Sequence, residues 1–354
     1  MKYYIYKKEK KEIVPVEDES ANIFAKEKLS TILAKKDEMR IPSRFLEAWD
    51  NVALFQTNGD VAKANSIMFP KEESSFALNN PLNDLTAKEW LPETVTVFAQ
   101  KGLGASNKDA KIEKLHPAPF SFQDVGRLIQ FFTKERDYVL DPFSGVASTV
   151  KACAINNRYG VGIELNPKYH DLGLQRINIE VQDSFPLKKN QKLLLGNSLK
   201  KIKEFSNNNF DFIITSPPYW DILDTVDHKS NERINNDLDY KYSDTKEDLA
   251  NINDYELFID TLSSFFDECS YYLKKDKYMC VIVSDFRKKE KYYTFHADLA
   301  KAIENRGNFI LKGIRILYQR HKSIYPYGYP SSFVPNMHHQ NVLIFQNRKN
   351  NGNK

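Results

Sequence analysis

A chain of 354 residues, 41% apolar and 28% charged, is long enough for one large domain with an appendage and too apolar to be disordered. Its 51 basic and 47 acidic residues leave a net charge of +4, which excludes no class of partner, because a local basic face can hide in such a balance. No apolar run approaches the roughly 18 residues that cross a bilayer, and "MKYYIYKKEKKEIVPV" lacks the apolar segment of a signal peptide, so the expected location is the cytoplasm, with no membrane partner.

Residues 1 to about 110 are mixed. "ANIFAKEKLSTILAKKDEMR" has helical spacing, and "PLNDLTAKEWLPETV" reads as a short capped helix between prolines. The texture changes at 116. "FSFQDVGRLIQFFTK" predicts an amphipathic helix with Phe122, Val125, Leu128, Ile129 and Phe132 on one face. "DYVLDPFSG" is a strand ending in a turn, "ASTVKACAINN" a helix, and "RYGVGIELN" a strand closing on Glu164. "PKYHDLGLQRINIE" is helical, "KLLLGNS" a strand, and "NFDFIIT" a buried strand that delivers "SPPYW" to a sheet edge. A polar stretch follows, from Asp221 to about Asn251. Next come the helix "DYELFIDTLSSFFDECSYYL", the strand "KYMCVIVSD" and the helix "FHADLAKAIENRG". "FILKGIRILYQ" and "HQNVLIFQ" then suit a terminal antiparallel pair. The alternation predicts an α/β fold, a doubly wound Rossmann-like sheet with helices on both faces and a terminal antiparallel hairpin, plus an N-terminal extension. Cys153, Cys269 and Cys280 are scattered in apolar contexts and read as reduced core residues, with neither disulfide nor zinc spacing.

Ligands of such sheets bind at the carboxyl ends of strands, near a topological switch point. Asp141-Pro142-Phe143-Ser144-Gly145 sits at one strand end. Glu164 closes the next strand 23 residues after Asp141, about the distance at which a nucleotide fold sets an acid on ribose. Asn197 ends the third, where its amide could meet an adenine edge or simply make a turn. No G-x-x-x-x-G-K-S/T and no G-x-G-x-x-G is present, so a phosphate site is not indicated. Adenosine without pyrophosphate points to S-adenosylmethionine. The next strand end carries Ser216-Pro217-Pro218-Tyr219, a stiff extended segment with few backbone donors and several carbonyl acceptors.

The pairing of "LDPFSGVAST" with "ITSPPYW" resembles the DNA amino-methyltransferases, which methylate the exocyclic nitrogen of cytosine (N4) or adenine (N6). "HPAPFSFQDVGRLIQFF" is similar to the segment that precedes their cofactor loop, and the likeness covers roughly residues 80 to 346. It implies a methyltransferase sheet, duplex DNA as substrate and a base flipped out of the helix. By position it implies that Asp141, Phe143 and Gly145 hold the methionine part of S-adenosylmethionine, that Thr149 also binds the cofactor, that Glu164 holds its ribose, and that Asn197 lies near its adenine. Ser216 and the Pro217 carbonyl would accept the N–H groups of the target amine, freeing its lone pair, with Pro218 stiffening the segment. Tyr219 would stack on the base, and Trp220 would meet substrate. No strong base is needed, since the proton leaves after nitrogen has become cationic; positioning and electrostatics carry the reaction. The family usually reads D-P-F-x-G-x-G-T-T, whereas Ala147 and Ser148 stand here for the second glycine and first threonine. Alanine keeps the turn if its φ stays negative, so altered affinity is expected, not lost binding.

The cofactor half (116–200) precedes the catalytic half (205–346) within a catalytic domain of 111–348. Little chain is left between or after them for target recognition, so residues 1–110 are the expected recognition region, and 221–251 a second candidate. Serine at the head of the motif leans towards N4 of cytosine. N6 of adenine is the runner-up, and a protein-glutamine or RNA methyltransferase, or a binding protein without catalysis, are the readings from other classes. A cognate restriction endonuclease is a possible partner. His338-His339 lacks the companion ligands of a metal site. The "YPYGYP" run reads as an ordered aromatic loop, and the N-terminal lysines as a solvated face.

Overall fold

Strand and helix alternate because apolar runs such as Phe210–Thr215 are buried along their whole length while the helices between them bury one face. The computed structural model describes residues 2–7, 12–15, 52–57, 80–100, 110–113, 115–116, 121–220, 248–320 and 322–349. They fall into two units, residues 1–94 with 133–135, and 95–132 with 136–354. In the first, β1 (Lys2–Lys7) pairs antiparallel with both β2 (Glu12–Pro15) and β3 (Val52–Thr57). Its helix α1 (Ala87–Trp90) starts on the expected cap. Thr86 Oγ1 accepts the Glu89 N–H at 3.2 Å, and the Glu89 carboxylate accepts the Thr86 N–H at 2.9 Å. The expected helix around residues 21–40 lies outside the described residues.

The second unit runs through β4 (Val97–Ala99), α2 (Ala110–Glu113), α3 (Phe122–Phe132), β5 (Tyr138–Asp141), α4 (Ser148–Ile155), β6 (Tyr159–Glu164), α5 (Pro167–Glu180), β7 (Lys192–Leu195), α6 (Ser198–Lys201) and β8 (Phe210–Thr215). It continues through α7 (Tyr255–Tyr272), β9 (Leu273–Val283), the hairpin β10 (Phe286–Lys288) and β11 (Lys291–Tyr293), α8 (Phe295–Asn305), β12 (Phe309–Tyr318) and β13 (His339–Asn347). Eight strands form one sheet in the order β4-β12-β13-β9-β8-β5-β6-β7. Strands β9, β8, β5, β6 and β7 are parallel, and β13 runs antiparallel to both neighbours, which supplies the expected terminal pair. The edge strand β4 sets Val97 beside Ile316, so this sheet takes a strand from within the first 110 residues.

Chain order reverses at β5: β6 and β7 extend the sheet one way, β8 and β9 the other. The carboxyl ends of β5 and β8 therefore lie side by side at the switch point. Consecutive residues of β8 face opposite layers. Phe212 stacks on Phe132 of α3 at 5.2 Å, while Ile213 joins Phe258 and Phe266 of α7. All three cysteines are buried and free, and burial raises each thiol pKa. Among the described residues no helix is long and apolar enough to cross a membrane, and no cluster of His, Cys, Asp and Glu could hold a metal.

Helix α5 grips the loop after β5 through Arg176, a wholly buried arginine. Its guanidinium donates to Glu113 at 2.6 Å, Glu180 at 2.9 Å, Ser148 Oγ at 2.8 Å and the Val146 carbonyl at 3.2 Å. Burial raises the Glu113 pKa against the pull of Arg176. Removing one member of such a buried network strands the other. Arg176→Met should cost about 3–5 kcal/mol in urea unfolding, and adding Glu113→Gln should recover part of that loss.

Candidate active site

Asp141, the last residue of β5, is wholly buried, and its hydrogen bonds join three segments. Thr149 of α4 donates its hydroxyl to Oδ2 at 2.5 Å, Thr215 of β8 donates to Oδ1 at 2.6 Å, and the Phe143 N–H donates to Oδ1 at 3.1 Å. Burial pushes the Asp141 pKa up to about 6, while these hydrogen bonds pull it down. Asp141 and Thr149, both expected at the cofactor, bond to each other, and the carboxylate acts as an organiser of the loop.

The turn after Asp141 is tight because backbone and side chains approach closely. The Ser144 N–H donates to the Ile163 carbonyl at 2.9 Å, and Ser198 Oγ donates to the Pro142 carbonyl. Ser144 Oγ lies where a Cβ on Gly162 would come within 2.4 Å, so β6 needs glycine there. Gly145 has φ +52° and donates its N–H to Glu164 Oε2 at 2.7 Å. The Ala147 φ is +62°, which corrects the expectation of a negative angle. Alanine here occupies a left-handed conformation that glycine adopts freely, at a cost of roughly 1–2 kcal/mol. Its methyl sits where a Cβ on Gly173 would come within 3.1 Å, so the glycine in α5 makes room for it.

Glu164 closes β6 with both carboxylate oxygens engaged, Oε2 by Gly145 and Oε1 by the Asn166 N–H at 2.8 Å. Burial pushes its pKa up to about 7; the two backbone donors oppose that, and the negative charges of Asp141 and Asp248 add to it. Asn197 caps α6, its Oδ1 accepting the Leu199 N–H at 2.9 Å, the turn-forming alternative. Phe143 is half-buried, its ring edge-on to Phe265 at 5.3 Å.

The segment after β8 is anchored at its far end. The Tyr219 phenol oxygen accepts the Ser284 N–H at 3.0 Å. Burial raises its pKa, and only 8% of the residue is exposed. Ser216 and Pro218 are half-buried and Pro217 is buried. Trp220, expected to meet substrate, also forms a wall of the core. It is 6% exposed, donates its indole N–H to the Ile252 carbonyl at 2.7 Å and packs against Tyr255 and Tyr293. An aromatic two residues after a proline pair carries no sign of which way it turns; the β10–β11 hairpin that receives it decides.

Thr215, Ser284 and Asp285 went unread in the sequence. Burial would raise the Asp285 pKa, but hydrogen bonds from His296 outweigh it and hold the group below its ordinary value. His296 donates its backbone N–H to Oδ1 at 3.1 Å and sets Nδ1 2.6 Å from it. The available signal was "VSD" ending a strand, which becomes informative once β9 is known to lie beside β8.

The DNA methylase family profile matches residues 4–175 and 210–353. The chain is 43% identical over 67 residues to the type II beta methyltransferase M.BslI of Bacillus sp. (strain NEB-606), covering 18% of this chain and 7% of that one. It is 42% identical over 65 residues to the type II methyltransferase M.Cfr9I of Citrobacter freundii, covering 18% and 22%. To M.ScaI of Streptomyces caespitosus it is 27% identical over 128 residues, covering 36% and 40%. The matched stretches thus span less than half the length of these relatives. Among solved structures, a methyltransferase of Methanosarcina mazei superposes with TM-score 0.39 at 13% identity, over 62% of this chain and 97% of that one.

Two outcomes follow from the loop. Ala147→Gly should raise the unfolding free energy by up to about 1 kcal/mol, relief of the left-handed alanine exceeding the entropy glycine adds to the unfolded chain. Asp141 has a raised folded pKa, so its contribution to stability is full below its unfolded pKa and lost as pH rises through about 6. Between pH 5 and 8, Asp141→Asn should therefore lose less stability than the wild type, by about 1 kcal/mol, in urea titrations at both pH values.

Proposed function

The chain belongs to the DNA methylase family and takes its methyl group from S-adenosylmethionine, and we propose on that premise that it methylates the exocyclic N4 of cytosine in duplex DNA. The observation that carries this reading is the shared anchor at Asp141. The same buried carboxylate orders the loop expected to hold the cofactor, through Thr149, and roots the Ser216–Tyr219 segment, through Thr215.

S-adenosylmethionine supplies, when bound, a methyl group on positively charged sulfur. The strand ends fit such a molecule. Glu164 keeps a free lone pair on each oxygen beside its two N–H partners, which suits ribose hydroxyls. Gly145 has no side chain to fill the turn, and Phe143 and Asn197 flank the same edge. Asp141 and Thr149 hold that turn in shape. At the end of β8, the Ser216 hydroxyl and the Pro217 carbonyl accept the two N–H groups of the target amine and keep its nitrogen pyramidal. The fixed backbone of Pro217 and Pro218 means that these acceptors need no reorganisation during transfer. Tyr219, held by the Ser284 N–H, closes the pocket beneath the flipped base in this reading.

Serine in place of an acid at the head of the segment supports cytosine over adenine. Recognition of the target sequence is assigned to the part of residues 1–110 that precedes β4, with 221–251, most of which lies outside the described residues, as a second contributor.

The test is incubation with labelled S-adenosylmethionine and duplex DNA of mixed sequence, then digestion to nucleosides and identification by mass. N4-methylcytosine is expected. N6-methyladenine would overturn the base assignment, and no methylated nucleoside would overturn the DNA reading. Ser216→Ala should slow transfer about 100-fold, as loss of one preorganised partner does, with cofactor affinity unchanged.

A further inference from the structure

The loop between β12 and β13 is built to display aromatic side chains. Its base is closed by the Gln319 N–H donating to the His338 carbonyl at 2.7 Å. Further out, the Tyr325 N–H donates to Asn336 Oδ1 at 2.9 Å, and Asn336 Nδ2 donates back to the Tyr325 carbonyl at 2.8 Å. At the tip, Ser331 and Ser332 both donate their N–H groups to the Gly328 carbonyl, at 2.8 and 2.7 Å. Gly328 has φ +75°, and a Cβ there would come within 2.3 Å of the Ser332 carbonyl, so only glycine permits this tip. This ordered frame leaves Tyr329 83% and Phe333 86% exposed. Large apolar rings held out by a hydrogen-bonded frame are a binding surface in form, with little ordering entropy left to lose.

Two observations say what covers them. The loop springs from the catalytic edge: the His339 carbonyl accepts the Ser284 hydroxyl at 3.1 Å, and the Ser284 N–H donates to the Tyr219 phenol oxygen at 3.0 Å. The surrounding chain is also basic. No Asp or Glu occurs between Glu304 and Lys354, and Arg320 and Lys322 lie at the foot of the loop. Cations around exposed aromatics at a nucleic-acid site match phosphates and base faces together.

Resting on the reading of the chain as a DNA methyltransferase, we propose that the 319–338 loop is a stacking element. In it Tyr329 and Phe333 lie against bases of the duplex next to the flipped target, while Arg320 and Lys322 meet phosphates.

The test compares duplex binding of the wild type with that of Tyr329→Ala/Phe333→Ala across a salt series, with cofactor affinity and thermal unfolding as controls. Both rings are exposed, so fold and cofactor binding should hold. Duplex affinity should fall about five- to a hundred-fold with an unchanged salt slope, and Phe333→Trp should retain it. Arg320→Gln should instead lower the slope of log K against log salt by about 1. Unchanged affinity in the aromatic double variant, with the wild type still methylating DNA, would overturn the loop proposal alone. A change of oligomeric state with DNA affinity intact would overturn it in favour of a protein contact. A wild type that neither binds nor methylates duplex DNA would overturn it together with the functional reading.

Discussion

A single buried carboxylate holds the catalytic edge together. Asp141 has no access to water, so its oxygens need donors from the protein, and three arrive from the loop, from α4 and from β8. Because β5 and β8 are neighbours only through the switch in strand order, this bond spans 74 residues of sequence. The loop expected to carry the methyl donor and the segment expected to carry the acceptor are thereby fixed to one atom group, and their separation is set by a hydrogen-bond network instead of by the flexibility of two loops.

The strained turn beside it is supported from behind. A left-handed alanine at 147 is unfavourable locally, and glycine at 162 leaves Ser144 the room it needs. Arg176 secures the Val146 carbonyl and the Ser148 hydroxyl from α5, and Gly173 on the same helix admits the alanine methyl. On the other side, the phenol of Tyr219 ties the Ser216 segment to Ser284, just past the end of β9, so one half rests on a helix and the other on a neighbouring strand end.

Much of this was legible in the sequence, for identifiable reasons. Period and punctuation expose the strands and helices from 116 onward, and the capped helix at Thr86 follows from its capping box. The terminal antiparallel pair is visible as two apolar strands without a helix between them. The positions of Asp141, Glu164 and Ser216 at strand ends are likewise readable. Partnerships were not. Thr215 is one apolar-strand residue among six until pairing sets it against Asp141. The φ of Ala147 depends on where α4 must begin, and Trp220 turns inward because a hairpin 66 or more residues later in the chain offers it a cage. Asn197 looks alike as ligand or cap, since both uses need the same amide.

The central claim is that Asp141 couples the donor loop to the acceptor segment, and Thr215 is the residue that isolates it. Cofactor affinity should be measured for Thr149→Val, Thr215→Val and the double variant. If the coupling is real, Thr215→Val weakens S-adenosylmethionine binding although it lies on the acceptor strand, and the double variant loses less than the sum of the singles. Unchanged cofactor affinity in Thr215→Val, with strictly additive effects, would contradict it.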